Sequence, residues 1–242
     1  MKHKLILLLL LLSIGLFAQE KSYRFLYDFH QITKLDRTEN LRLSSEDFAV
    51  VVAELNRSYE VEVVANTMTS FIKVLEKVDN AQEKSFIKIE PEPKWLFNDF
   101  ESALSYNHTE LFDSYVKDSI QQISLQPTRH IKKILGFDAK KFTAEDEENM
   151  YNFWLVKNND LTVSPLQFQL KGYIILEADV MLKIKNNLQT ERKMTYILKD
   201  MIEDKTPFNF EKVKPKKVIT KNELNHLLEE TKNNFEQGVD RD

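Results

Sequence analysis

From Ser22 to Ile32 the chain alternates: Tyr23, Phe25, Tyr27 and Phe29 fall on one side, and Arg24, Leu26, Asp28 and His30 on the other. A period of two marks an extended strand with one face turned to a core. Here that face is wholly aromatic. The alternation returns at Tyr59, Val61 and Val63, set against Glu60 and Glu62. It is clearest in the second half. Ile131 to Phe142, a polar tip from Thr143 to Asn149, and Met150 to Lys157 read as one long hairpin, with Tyr151, Phe153 and Leu155 on a common face. Tyr173 to Lys185, Asn186 to Glu191 and Arg192 to Ile202 read as another. Strands joined by short turns, with no helices between them, predict an antiparallel sheet. The expected fold is therefore mainly β, with one antiparallel sheet.

Other segments are read more coarsely. Ser70 to Val78 and Ser85 to Ile89, joined by Asp79-Asn80-Ala81-Gln82, suit a further hairpin. Lys94 to Gln122 reads as loops mixed with short strands. Gly136 and Gly172 sit inside strand-like runs, where glycine marks a bulge or bend. Two segments change period. Ser44 with Asp47 suits the start of a short helix near 45–56, while the run Ala49-Val50-Val51-Val52 equally suits a strand. Thr220 with Glu223 caps an amphipathic C-terminal helix at 220–236, whose stripe is Leu224, Leu227, Leu228 and Phe235. Such a stripe needs a surface, and the expectation is that Lys212 to Lys217 lets the helix fold back as a lid over the sheet.

The N-terminus reads as an export signal. Lys2 and Lys4 precede an apolar run from Leu5 that ends in the small residue Ala18. A membrane-spanning helix needs about 20 apolar residues, more than this run supplies. The expected domains are a signal peptide at 1–18 and a single β-rich domain at 19–242, with no transmembrane anchor after processing. The chain has no cysteine, which excludes an acylated N-terminal cysteine, disulfides and thiolate metal sites. Cleavage takes 34 basic side chains to 32 against 38 acidic ones, moving the net charge from −4 to −6. Neither nucleic acid nor an anionic lipid surface is expected as a partner, because both need a basic footprint. The expected location is the periplasm or the exterior.

No arrangement of residues points to catalysis, a cofactor or a metal. His30, His108, His130 and His226 lack partners at a recognised ligand spacing. Glu145-Asp146-Glu147-Glu148 lacks the alternation and glycine of a calcium loop and reads as a solvated turn. Four glycines leave no room for a nucleotide fingerprint.

The segment Lys133-Ile134-Leu135-Gly136-Phe137-Asp138-Ala139-Lys140-Lys141 resembles a stretch of the GLPGLI family of exported envelope proteins. Phe153-Trp154 matches its strand with tryptophan. Gln169-Leu170-Lys171-Gly172-Tyr173-Ile174 stands in place of the name motif, keeping Leu170, Gly172 and Ile174. The sequence departs from the family at Ala139, where the family has cysteine. The resemblance implies a curved antiparallel sheet of half-barrel form, similar to the periplasmic lipoprotein-carrier (LolA-like) fold, and brings no activity or catalytic residues with it. The expectation is a non-enzymatic binding module for an apolar or amphipathic ligand. Its ligand-face candidates are Tyr23, Phe25, Tyr27, Phe29, Tyr151 and Phe153. The alternative is a structural or interaction protein working with an outer-membrane protein.

Overall fold

The computed structural model describes residues 21–35, 44–56, 58–75, 94–183 and 189–239. The predicted leader, the 79–82 turn and the 85–89 strand lie outside them. The elements are β1 (Tyr23–Leu35), α1 (Ser45–Leu55), β2 (Ser58–Ala65), β3 (Thr69–Leu75), β4 (Trp95–Asp99), β5 (Leu104–Thr109), β6 (Ser114–Ser119), β7 (Gln126–Ile134), β8 (Phe137–Glu145), β9 (Asn149–Lys157), β10 (Tyr173–Leu182), β11 (Gln189–Glu203), β12 (Val218–Thr220) and α2 (Lys221–Val239). The strands form one open sheet in the order β12-β6-β5-β4-β3-β2-β1-β11-β10-β9-β8-β7. All neighbours are antiparallel except β12, which runs parallel to β6. The expected mainly β, curved antiparallel sheet with two helices is what the chain forms.

β1 joins the two arms. It pairs with β2 on one side and β11 on the other, setting Phe25 opposite Val63 and Met201, and Phe29 opposite Tyr59 and Tyr196. The aromatic stripe therefore meets apolar residues from both neighbours on one inner face. Phe25, Tyr27, Val63, Leu198 and Leu96 are all buried there. A bulge between Leu26 and Tyr27 shifts the β1–β11 register, and another between Ile175 and Glu177 shifts β9–β10. Bulges bend the strand that carries them. At its bulge, β10 comes close enough for the Tyr27 hydroxyl to donate to the Ile175 carbonyl at 2.7 Å, within the buried core.

Two glycines act differently from the sequence reading. Gly136 has φ +84° and follows Leu135 at φ +49°, so the two form the tight turn between β7 and β8. Positive φ at both central residues is the geometry whose twist matches paired strands. The single strand expected from Ile131 to Phe142 is thus two strands, and a leucine in the first turn position hid the break. Gly172, at φ +78°, lies in the turn that leads into β10. Bulges occur elsewhere, where no glycine marks them.

Lys94 to Gln122 is more regular than expected, forming β4, β5 and β6. α1 starts at Ser44, whose hydroxyl accepts from the Asp47 amide at 3.0 Å. Asn56 ends it and ties it to β1 through the Thr33 backbone. α2 opens on the expected capping box: the Thr220 amide donates to Glu223 at 2.6 Å and the Glu223 amide to Thr220 Oγ1 at 3.2 Å. It does not fold back. Its contacts are with β6 and β12; Leu224 and Leu227 are half-buried and Leu228 is 43% exposed, while the Phe235 side chain lies outside the described residues. The connector instead crosses the outer face, where Phe208 stacks on Phe71 and Ser22 holds the Phe208 amide at 2.8 Å. That crossing delivers β12 to the β6 edge.

The Tyr27–Ile175 bond is testable. Tyr27→Phe keeps the ring and leaves the Ile175 carbonyl without that donor, so it should destabilise the protein by about 1–3 kcal/mol. Urea unfolding measures this, and a loss no larger than error would show that the bond adds nothing.

Candidate functional site

The inner face is covered by the β9–β10 connection, residues 158–172. Short bonds order it locally. Asn158 Oδ1 accepts from the amides of Asp160 at 2.9 Å and Leu161 at 2.8 Å. Ser164 Oγ accepts from Leu166, and Thr162 Oγ1 from Gly172. Val163 pairs in parallel with Ile174, its amide donating to Tyr173 and its carbonyl accepting from Ile175, both at 3.0 Å. So anchored, the segment buries Leu161, Val163, Leu166, Phe168 and Leu170. The Phe168 ring stands edge-on to Tyr151 at 5.2 Å and to Phe153 at 5.8 Å. The lid over the sheet is this connection, in place of the C-terminal helix expected from sequence.

The lid does not fill the whole concavity. A cavity of about 370 Å³ remains. Its apolar walls are Phe29, Val61, Ile72, Val74 and Leu96 from β1 to β4, facing Met194, Tyr196, Val180 and Tyr151 from β11 to β9. Leu166 and Phe168 of the lid complete it. In the sheet order β4 and β9 are six strands apart. Laid flat that is roughly 29 Å at ~4.8 Å per strand. Their side chains reach one cavity because the sheet curls around it. The polar lining is Gln121, Asp146, Glu148, Asn149, Gln167 and Arg192.

Of the six sequence candidates, Phe29 and Tyr151 line the cavity. Phe25, Tyr27 and Phe153 do not: they are fully buried and belong to the packed core. Tyr23 lies half-buried at the start of β1. Burial of the Tyr27 hydroxyl pushes its phenol far above the usual range. Sequence reading missed Val61, Ile72, Val74, Leu96, Val180 and Phe168 as cavity lining, since a wall residue and a core residue share one alternation. It also missed Arg192. The signal was present: Arg192 shares its side of β11 with Met194 and Tyr196, an arginine in register with an apolar face.

Two polar groups at the site have definite environments. Arg192 donates from Nη2 to Gln31 Oε1 at 3.2 Å, and its buried Nε has no hydrogen-bond partner. Tyr196 stacks at a tilt on Phe29, 4.8 Å between centroids. Burial pushes its phenol up, and the nearby Arg192 charge works against that rise. Asp146 closes the β8–β9 turn: it accepts from the amides of Glu148 at 2.8 Å and Asn149 at 2.7 Å and from the Tyr151 hydroxyl at 2.5 Å. Desolvation alone would raise this carboxyl, but those donors together hold it below the ordinary carboxylate range. The acidic turn is thus partly structural, where the sequence suggested charges in water.

The histidines are dispersed. His108 lies between the Trp95 and Tyr115 rings at 4.8 and 5.0 Å, His30 touches Ser58, and His226 approaches Glu230 at 3.8 Å. Among the described residues no group of three or more His, Cys, Asp or Glu could hold a metal ion.

No protein-family model and no curated protein matches the chain. Among solved structures, two crystal forms of PNGF-II are similar at TM-score 0.48, with 13% and 14% identity, over 83% of this chain. The chain spans 31% of the length of PNGF-II. An uncharacterized conserved protein from Thermus thermophilus is similar at TM-score 0.38 and 9% identity, over 84% of this chain and 92% of that one. Likenesses this low carry no information about chemistry.

The turn carboxylate should show in acid. A depressed folded pKa gives stability that is full above the unfolded value, near 3.8, and is lost as pH falls through the folded value. Wild type should therefore exceed Asp146→Asn in urea midpoint at pH 7, with the gap narrowing at pH 3. A gap of equal size at both pH values would show that the charge is immaterial.

Proposed function

We propose that this protein is a non-enzymatic binding module of the bacterial envelope, holding an apolar or amphipathic ligand between the curled sheet and residues 158–170. The observation that carries the reading is the cavity itself. Ligand sites are concave, mostly apolar and edged by a few polar groups, with volumes of roughly 300–1,000 Å³. This one has apolar walls, six polar residues and about 370 Å³. The export leader read at 1–18 supports a periplasmic or external setting. Among the described residues no helix is long and apolar enough to cross a membrane.

Binding is measured with 1-aminoanthracene, a neutral fluorophore that brightens in apolar surroundings. Wild type should bind it saturably with one site. Val74→Trp should cut affinity about tenfold or more by filling the space, while the melting temperature stays the same or rises. No saturable signal from wild type, with protein stripped of bound lipid beforehand, would remove the reading.

A second reading is favoured by α2, which keeps Leu228 exposed and meets the sheet through β6 and β12. On that reading the helix engages an outer-membrane partner. Leu228→Ala should leave the monomer's melting temperature unchanged and weaken capture of an outer-membrane protein from envelope extract. Unchanged capture would count against a helix-borne interface.

A further inference from the structure

We infer that the cavity takes an anionic single-chain amphiphile, its carboxylate or phosphate head held by Arg192 and its tail lying along the apolar walls. The inference rests on the binding-module reading and adds the ligand's charge and orientation.

It starts from the surroundings of the guanidinium. Arginine carries five N–H donors and is always charged. In the structure Arg192 makes one hydrogen bond, from Nη2 to the neutral oxygen of Gln31. Its Nε is buried without a partner, and no carboxylate among the described residues forms an ion pair with it. Arg192 is half-buried, and a guanidinium whose Nε is shut off from water without a partner is ordinarily matched by an anion.

The chain's own acids at the cavity are committed elsewhere or face water. The Asp146 carboxylate is taken up by Tyr151 and two backbone amides. Glu148 is exposed. Glu191, next in sequence, points to the other face and pairs with Lys34.

The guanidinium is also held in place. Gln31 donates from Nε2 to Thr33 Oγ1 at 3.0 Å and to the Leu55 carbonyl at 2.9 Å, so its oxygen is the end left for Arg192. Thr33 lies opposite Arg192 in the β1–β11 ladder. Together Gln31, Thr33 and Arg192 make one polar end on an otherwise apolar face. The next inward residues on β11, Met194 and Tyr196, line the cavity, as does Phe29 on β1. A planar fork of donors suits a carboxylate or a phosphate, both of which accept two parallel bonds. A neutral ligand would leave the cation uncompensated, and a cationic one would be repelled.

The test displaces 1-aminoanthracene from delipidated protein with oleate, oleyl phosphate and oleyl alcohol, which share a tail and differ in head. Wild type should bind at least one anion about tenfold or more tightly than the alcohol, the order expected for a charge-assisted pair. The tighter anion identifies the head. Arg192→Gln should erase the preference, so that neither anion binds this variant more tightly than oleyl alcohol does. Arg192→Lys, which keeps the charge and loses the fork, should retain part of it and serves if the glutamine variant does not fold. An alcohol bound as tightly as both anions, or a preference that survives Arg192→Gln, would overturn the inference and leave the apolar reading standing. If none of the three displaces a fluorophore that does bind, the inference fails and the binding-module reading stands; if the fluorophore itself does not bind, both fail.

Discussion

The structure depends on the packing of one aromatic face of β1 against both of its neighbours. The strand sits between the arm β2–β6 and the arm β7–β11, so every other strand reaches the sheet through it. Strand side chains repeat every two residues, and a slip of one position would turn Phe25, Tyr27 and Phe29 to solvent. The buried area of those rings, each worth about 1.5–3 kcal/mol, therefore sets the register of both arms. The β1–β11 pair joins residues far apart in sequence, such as Tyr23 with Glu203. That closure carries a loop-entropy cost, and aromatic burial is what offsets it.

Curvature then separates core from cavity. The bulges at Leu26/Tyr27 and Ile175/Glu177 bring β10 under β1, and the Tyr27 hydroxyl closes that contact. Below the contact the 158–172 connection fills the concavity with Leu161, Val163 and Leu170; beyond it the same face is left partly open around Phe29 and Tyr196. A single stripe of alternating residues thus serves as packed core at one end and as cavity wall at the other. The division lies in where the lid stops, because neighbouring positions of the stripe are chemically alike.

Polar groups on the inner face define the character of the site. Asp146 is satisfied by its own turn and steadies the β8–β9 tip at the cavity edge. Arg192 is held by a neutral amide and otherwise unmatched. A charge in that state favours whatever binds it, whereas a satisfied one only shapes the rim. The outer face carries the opposite arrangement, with pairs such as Lys193–Asp179 and Lys132–Glu177 lying in partial solvent. Exposed pairs of that kind contribute little, typically about 0–1 kcal/mol.

Local chemistry made the fold class legible in the sequence. Period-two alternation marked β1, β2, β9, β10 and β11, and side-chain caps at Ser44 and Thr220 marked the starts of both helices, because each depends on residues within a few positions of one another. The Leu135-Gly136 turn escaped because a leucine stood where a turn residue is usual. Tertiary structure alone decided the rest. Whether Phe25 or Phe29 faces a cavity depends on the 158–172 segment, distant in sequence from both. Which element becomes the lid depends on how far the connector after β11 must travel along the outer face. The isolation of Arg192 depends on three chain regions meeting at one end of β1. Burial and charge pairing are sums over such distant neighbours, so they are settled only when the chain has closed.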